Sequence, residues 1–140
     1  GLLGAPWSTA AAFTADGWLR TGCGGLCYYD GDVYIVDRIK DMYISGGENV
    51  YPAEVERVLD DHADVLEAAV VGVDDARWGE VGAAFVIPRP GASIDAQELR
   101  RWCRERLAAY KVPARVVTVD DLPRTAAGKV RKPELRETLS

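Results

Sequence analysis

A lysine follows a glycine directly in the segment LPRTAAGKVRKPEL, residues 122–135, which has few bulky side chains. The segment also holds Arg124, Arg131 and Lys132 beside Lys129, but only one acid. A phosphate-binding P-loop has the pattern G-x-x-x-x-G-K-[ST]. Here a proline stands at the first glycine position and a valine at the hydroxyl position, so the pattern argues against a P-loop.

Two roles remain for Lys129. A lysine has a long stem and a compact charge, so from a loop of small residues it can reach an anion on another surface. It can equally be a solvated surface side chain. The loop pattern alone leaves both roles open.

Three other positions carry candidate chemistry. Arg38 and Lys40 lie among acids near the end of an apolar run, where they either bind an anion or pair with their neighbours. Gly46-Gly47 is either an ordinary turn or a point where the backbone approaches a ligand closely. Trp78, in DDARWGE, is an aromatic that could anchor a loop.

The three cysteines do not predict a metal site. Cys23 and Cys27 are four residues apart and could supply half of one. The other half is missing, because His62 is the single histidine and Cys103 falls in a helical pattern. An odd number of cysteines without a tight framework is typical of reduced thiols in the cytoplasm.

The composition is typical of one globular domain, with 140 residues, 48% of them hydrophobic and 28% charged. A net charge of -5 argues against a general nucleic-acid binder, since such proteins neutralise phosphates with excess Lys and Arg. No apolar run approaches the ~20 residues of a membrane span, and the first residues show no signal-peptide pattern. We therefore expect a cytoplasmic protein whose basic segment serves a small ligand.

A small α+β fold must position these residues. Asp30-Gly31 separates the apolar runs LCYY and VYIV and predicts a two-stranded antiparallel hairpin. Pro52 and Pro133 suit the first turn of helices, and Asp95 with Glu98 resembles a helix-capping box. DVLEAAVVGVDD, EVGAAFVIPRPG and ARVVTVDDL are strand candidates. We predict a small mixed sheet of about three strands with packed helices, preceded by the hairpin.

Together, the motifs resemble those of one superfamily. DGWLRTGCGGLCYYDGDVYIVDRIKDMYISGGENVYPAEVE is similar to the junction and hinge motif of the acyl-CoA synthetases, or AMP-forming adenylating enzymes, of the fatty-acyl-CoA ligase type. DDARWGEVGAAFV, LAAYKVPARV and LPRTAAGKVRKPEL resemble the later motifs in order and spacing. The resemblance covers essentially all 140 residues.

The resemblance implies a domain division and an activity. Residues 1–36 would end the large N-terminal AMP-binding domain, hairpin included, and residues 37–140 would form the mobile C-terminal domain. The implied enzyme is an acid–CoA ligase that converts a carboxylic acid, ATP and CoA to acyl-CoA, AMP and pyrophosphate through an acyl-adenylate. ATP and Mg²⁺ would be held mainly by the N-terminal domain. The family's ATP-binding motifs lie upstream, so this chain alone would be inactive.

The resemblance also implies roles for single residues. Lys129 occupies the position of the family's catalytic lysine of adenylation, and Asp37 occupies that of the hinge about which the small domain swings. Arg38 falls on a residue that binds the nucleotide's ribose, and Lys40 on a neighbouring nucleotide-binding cation. Gly46-Gly47 falls on the loop that lines the pantetheine tunnel for CoA.

Two positions depart from the family pattern. Thr21-Gly22-Cys23 stands where the family has Thr-Gly-Asp, whose aspartate accepts hydrogen bonds from both ribose hydroxyls. A thiol is a poor acceptor, so we expect Cys23 to bind the nucleotide weakly. Ala127 replaces a small hydroxyl residue, which is a milder change.

Two other functions remain open. One is an adenylation domain that loads a carrier protein, and the other is a non-catalytic binding module, which Cys23 would suit. SGGENVYPAEVE is more similar to CoA ligases, so we favour CoA as the acceptor. The expected partners are the chain's own N-terminal domain, which holds the acid pocket, and a second copy paired through the exposed hairpin edge.

Overall fold

The computed structural model of the chain describes residues 23–27, 33–38 and 41–139. Its first element is an antiparallel hairpin of strands β1 (Cys23–Cys27) and β2 (Val33–Arg38). The turn between the two strands lies outside the described residues, but the predicted hairpin is confirmed. Strand β2 continues past residue 36, and the domain boundary placed there stays a prediction.

A five-stranded mixed sheet forms the centre of the rest of the chain. Its long strands β5 (Val65–Asp75) and β6 (Gly79–Pro88) are antiparallel, and β7 (Arg115–Thr118) runs parallel to β6. Strands β3 (Tyr43–Ser45) and β4 (Glu48–Val50) form a short hairpin that joins the start of β6. The three predicted strands are present. The two short ones were missed because three residues carry too little periodicity.

In the described part of the chain, three α-helices accompany the sheet, namely α1 (Pro52–Asp60), α2 (Ala96–Arg104) and α3 (Lys132–Thr138). Asp95 caps α2 as predicted, since its Oδ1 accepts hydrogen bonds from two backbone N–H groups of the first turn, at 2.8 and 3.2 Å. Helix α2 ends at Arg104, and Ala109–Lys111 forms a short 3-10 helix beyond it. Among the described residues, no helix has the length and apolar character needed to cross a membrane.

The sheet is covered on both faces. Side chains alternate between the faces along β5 and β6. Val70 and Val86 pack on the face that carries α1 and α2, whereas Val71 and Phe85 pack with Leu135 of α3. The fold is therefore the predicted α+β arrangement with helices on a small sheet.

Tyr43 fills the space over a pair of glycines. Gly72 and Gly82 are register partners in β5 and β6, and a Cβ atom added at either would lie 2.4 Å from Tyr43. Tyr43 is 2% exposed, and its hydroxyl has no hydrogen-bond partner within the described residues. Burial is the main cause that raises the pKa of Tyr43 above its ordinary value.

Candidate functional site

The lysine loop, residues 124–130, is held by hydrogen bonds of its own backbone. The Thr125 N–H donates to the Lys129 carbonyl at 2.7 Å, and the Gly128 N–H donates to the Thr125 carbonyl at 2.9 Å. The Lys129 N–H donates to Thr125 Oγ1 at 3.2 Å. Gly128 has a φ of 87°, which favours glycine at this turn. The backbone of Lys129 is therefore fixed at both its N–H and its C=O.

The side chain of Lys129 points away from the core. Arg124 and Val130 form an isolated bridge that closes the loop, and Val130 packs against the core cluster that includes Phe85. Neighbouring side chains of extended backbone point in opposite directions, so Lys129 faces outward. Its ammonium has no hydrogen-bond or ion-pair partner among the residues that the structure describes.

The other cations of the segment are paired. Each forms an ion pair with a glutamate: Arg124 with Glu67, Lys132 with Glu56 at 2.8 Å, and Arg131 with Glu134 at 3.1 Å. The basic cluster seen in the sequence is thus largely neutralised within the fold, and Lys129 is the charge that remains.

A cleft of about 530 Å³, the lysine cleft, lies beside Lys129. Acids contribute much of its lining: Asp41, Glu56, Asp60 and Glu67. Burial raises the pKa of Asp60, against the lowering effect of a hydrogen bond from the Ala68 N–H. Three cations, Lys129, Lys132 and Arg136, line it as well, and Glu56 and Glu67 are held in ion pairs. The exposed ammonium of Lys129 therefore lies at the edge of a cleft of mixed charge.

The glycine turn, Gly46-Gly47, joins β3 to β4. Both residues have positive φ, 59° and 83°, as a two-residue type I′ hairpin turn requires. The Gly46 N–H donates to the Trp78 carbonyl at 2.9 Å, and a Cβ on Gly46 would lie 3.0 Å from the indole ring. A Cβ on Gly47 would meet nothing within 4 Å. Gly46 is thus packed, whereas Gly47 faces open space.

A second cleft of about 510 Å³, the tryptophan cleft, adjoins the glycine turn and shares no lining residue with the lysine cleft. Trp78 forms part of its lining and is 48% exposed. The carboxylate of Asp75 accepts hydrogen bonds at 2.9 Å from the N–H groups of Arg77 and Trp78, and these bonds lower its pKa. Trp78 therefore sits on a fixed turn with its indole about half exposed, and the Arg77 guanidinium lies over the ring, 4.7 Å from its centroid.

Two arginines of α2 line the tryptophan cleft, Arg100 and Arg104. Arg100 donates from Nε to the Pro113 carbonyl at 3.1 Å. Neither guanidinium has an ion-pair partner in the described part of the chain. Sequence reasoning missed both, because arginines on the polar face of a helix are usually solvated. Their i, i+4 spacing, which puts them on one side of the helix, was the available clue.

The hairpin brings together two of the residues predicted to bind the nucleotide. Cys23 and Arg38 are Cα register partners across β1 and β2, and Asp37 is the partner of Gly24. Lys40 lies outside the described residues. The described residues include no group of three or more His, Cys, Asp or Glu side chains that could hold a metal ion.

Comparison with known proteins places this architecture in a family. The family model of the AMP-binding enzyme C-terminal domain matches residues 54–129. A 3-[(3aS,4S,7aS)-7a-methyl-1,5-dioxo-octahydro-1H-inden-4-yl]propanoyl:CoA ligase of Mycobacterium tuberculosis is 57% identical over 130 residues, which are 93% of this chain and 26% of that protein.

Two solved structures share the fold at substantial identity. ATP-bound MatB from Rhodopseudomonas palustris is 42% identical with a TM-score of 0.88, and the match covers 99% of this chain and 27% of that one. The o-succinylbenzoate CoA synthetase MenE from Bacillus subtilis, in complex with its acyl-adenylate intermediate, is 45% identical with a TM-score of 0.83. There the match covers 94% of this chain and 26% of that one.

This chain spans about a quarter of the length of the relatives it matches. The family model covers more than half of the chain, from the first helix into the lysine loop. The chain therefore belongs to the family of AMP-binding enzyme C-terminal domains.

Proposed function

We propose that the protein containing this chain is an AMP-forming acid–CoA ligase and that the chain acts as its C-terminal domain. One observation carries the proposal. The Lys129 ammonium is unpaired among the described residues, while the other cations of its segment are neutralised. The relatives support the activity, since the Mycobacterium protein is a CoA ligase and the solved neighbours hold ATP or an acyl-adenylate.

We assign Lys129 to the first half-reaction. There a carboxylate oxygen of the acid attacks the α-phosphorus of ATP, and the bond to the pyrophosphate leaving group breaks. Two anions must approach one another, so a fixed cation offsets their repulsion and stabilises the charge of the transition state. A group of this kind typically contributes ~3–5 kcal/mol. A rigid backbone under a free ammonium suits that task.

We assign the tryptophan cleft and the glycine turn to the second half-reaction. The thiolate of CoA attacks the acyl carbon, and AMP leaves. A glycine that faces open space, as Gly47 does, leaves room for the pantetheine arm. The exposed indole of Trp78 offers a stacking surface for a base. Arg100 and Arg104, whose guanidinium groups have no ion-pair partner among the described residues, offer positive charge for phosphates.

We assign the nucleotide's ribose to the hairpin, through Arg38, its strand partner Cys23 and the adjacent Lys40, and the hinge to Asp37. ATP is a substrate, and its Mg²⁺ prefers phosphate oxygens and carboxylates. The described residues offer no suitable cluster. Any Mg²⁺ would therefore be held by the phosphates and by residues of the N-terminal domain.

We further propose that residues 1–36 end the N-terminal domain and that residues 37–140 form the mobile one. The large domain would supply the acid pocket, and the protein would work in the cytoplasm. A second copy could pair with the edge of the hairpin, which analytical ultracentrifugation of the intact protein would detect as a dimer.

The proposal is tested by incubating the intact polypeptide with ATP, Mg²⁺ and acetate, hexanoate, benzoate or 2-succinylbenzoate. Each acid is offered with CoA or with a pantetheinylated carrier protein, and acyl-AMP, acyl-CoA and pyrophosphate are measured. We expect acyl-CoA from at least one acid and no product from the 140-residue chain alone. Loading of the carrier but not of CoA, or an intact protein that neither binds ATP nor forms acyl-AMP, would contradict the proposal.

A further inference from the structure

We propose that two ion pairs, Arg124–Glu67 and Lys132–Glu56, form a clamp that positions Lys129 for adenylation. The inference rests on the function proposed above for Lys129. It makes Arg124 and Lys132 positioning residues, whereas the sequence alone presented them as part of an anion-binding cluster.

The first arm of the clamp holds the start of the lysine loop. Arg124 donates from Nη1 to Glu67 Oε1 at 3.0 Å and from Nη2 to Glu67 Oε2. Two parallel bonds from a planar guanidinium fix orientation as well as distance. Their acceptor lies on β5, the strand at one edge of the sheet, so this end of the loop is anchored to the rigid part of the fold.

An irregularity in β5 puts Glu67 on the required face. The register of β5 against β6 shifts between Val65 and Glu67. In a regular strand these two residues would share a face. Here Val65 lies in the cluster under α1 and α2, whereas Glu67 reaches Arg124 and is followed by Ala69 in the cluster under α3. The shift thus lets one strand serve both faces.

The second arm holds the segment that follows the loop. The Lys132 ammonium lies 2.8 Å from Glu56 Oε1, and the same oxygen accepts the Val70 N–H at 2.9 Å. The two charged side chains are only 15% and 21% exposed. One carboxylate thus ties the first residue of α3 to α1 and to the outer edge of β5.

The cations of the lysine segment form two kinds of ion pair, long-range and local. Arg124 and Lys132 reach across to β5 and α1, whereas Arg131 pairs with Glu134, three residues further along the chain. The Arg124–Glu67 pair, with side chains 33% and 37% exposed, should contribute little to folding stability. A misplacement of about 1 Å in a reacting group, in contrast, can cost ~100-fold in rate. We therefore expect the clamp to affect the position of Lys129 much more than the stability of the fold.

The functional test uses the intact protein and the acid of the panel that it adenylates fastest. Arg124→Gln and Glu67→Gln should each slow ATP–pyrophosphate exchange about 10- to 100-fold. Both should leave thioester formation from supplied acyl-AMP and CoA within about twofold of the unchanged protein. Arg131→Gln, which removes the same charge two residues from Lys129, is the matched control and should change neither rate.

Non-additivity separates positioning from a structural role. If the clamp acts only through Lys129, adding Arg124→Gln to Lys129→Ala should slow exchange no further. The exchanged pair Arg124→Glu with Glu67→Arg should recover most of the rate lost in Arg124→Glu alone. Equal loss in both half-reactions, or a further loss on top of Lys129→Ala, would overturn the clamp. If Lys129→Ala itself left exchange unchanged, the proposed function of Lys129 would fail instead.

A second measurement needs no substrate. Amide hydrogen exchange at Lys129 and Gly128 in the 140-residue chain reports the order of the loop. Arg124→Gln should speed exchange at both amides at least tenfold while the amides of β6 stay protected, and Arg131→Gln should not. Unchanged exchange at Lys129 in Arg124→Gln would overturn the clamp whichever acid the enzyme uses.

Discussion

The lysine cleft and the tryptophan cleft use cations in opposite ways. In the lysine segment, Arg124, Arg131 and Lys132 are neutralised by glutamates, which leaves one exposed ammonium on a loop with a fixed backbone. In the tryptophan cleft, Arg100 and Arg104 have no ion-pair partner within the described residues, and an exposed indole lies beside them.

The difference corresponds to two chemical tasks. A reaction between two anions requires a positive charge that is fixed where the negative charge of the transition state develops. Holding a long ligand with several phosphates requires distributed charge and an aromatic surface instead. We therefore infer that one small domain carries a reactive surface and a binding surface.

The largest expected effect is that of Lys129→Ala on adenylation. Loss of the fixed cation should slow ATP–pyrophosphate exchange by about 10³-fold, since such groups contribute ~3–5 kcal/mol to the transition state. The Arg131→Ala variant, changed in the same segment, should catalyse ATP–pyrophosphate exchange at close to the original rate. Equal rates for the two variants would remove the distinction between Lys129, which has no ion-pair partner among the described residues, and the paired cations of its segment.

Glycine substitutions under Tyr43 should destabilise the sheet next to the tryptophan cleft, which Gly82 lines, and not the lysine loop. Gly72→Ala places a Cβ 2.4 Å from Tyr43 Cβ, and Gly82→Ala places one 2.4 Å from the Tyr43 hydroxyl. Each should lower the free energy of unfolding by about 1–3 kcal/mol, measured by urea denaturation of the chain. Adding Tyr43→Phe should restore most of the loss for Gly82→Ala, because it removes the clashing oxygen.

Adding Tyr43→Phe should not rescue Gly72→Ala, because the Cβ of that alanine would clash with Cβ and Cγ of residue 43, which phenylalanine retains. Neither Gly72 nor Gly82 has a positive φ, so the expected loss comes from the clash with Tyr43 and not from backbone strain. Equal rescue of both glycine variants would show that the ring moves as a whole, and that the clash with the hydroxyl is not the cause.

Cys23→Asp should leave both clefts unchanged and alter the affinity for ATP. A carboxylate at the ribose makes charge-assisted hydrogen bonds worth ~1.5–3 kcal/mol each, which a thiol cannot match. ATP should therefore bind at least about tenfold more tightly to the aspartate variant of the intact protein. Calorimetric titration of both proteins checks this. If the cysteine protein already binds as tightly, other residues hold the ribose.

The smallest expected effect is that of Tyr43→Phe alone. The hydroxyl is buried without a partner among the described residues, so its removal should stabilise the chain by up to about 1 kcal/mol. Urea denaturation would measure this gain, provided that the free energy of unfolding falls with urea concentration at the same slope in both proteins. A loss of stability would reveal that the hydroxyl has a partner in the folded protein, such as a buried water.

Local chemistry made much of the fold predictable. Three features depend only on nearby sequence: Asp95 at a helix start, Pro52 in the first turn of α1, and the Val-rich strands. The structure confirms all three. The short strands on either side of the glycine turn were missed, because three residues carry too little periodicity, although they pair with each other across that turn.

The candidate site was predictable only in part. Lys129 and the glycine turn stand out because glycine marks special backbone. The pairing of Arg124 with Glu67 could not be predicted from the sequence, because the two residues are 57 positions apart and meet only in the folded chain. The same holds for Arg100 and Arg104, since a guanidinium on a polar helix face looks identical whether it meets solvent or lines a cleft.

The central claim is that the two clefts serve different half-reactions. The most direct measurement is the ratio of the adenylation rate to the thioester-forming rate, the latter from supplied acyl-AMP and CoA, in Lys129→Ala and Gly47→Leu of the intact protein. We predict that the ratio falls by about 10³-fold for Lys129→Ala, because only the first reaction needs the ammonium. It should rise well above the original value for Gly47→Leu, because a side chain in that open space obstructs the thiol. Ratios that stay unchanged in both variants, however far the two rates fall, would contradict the account.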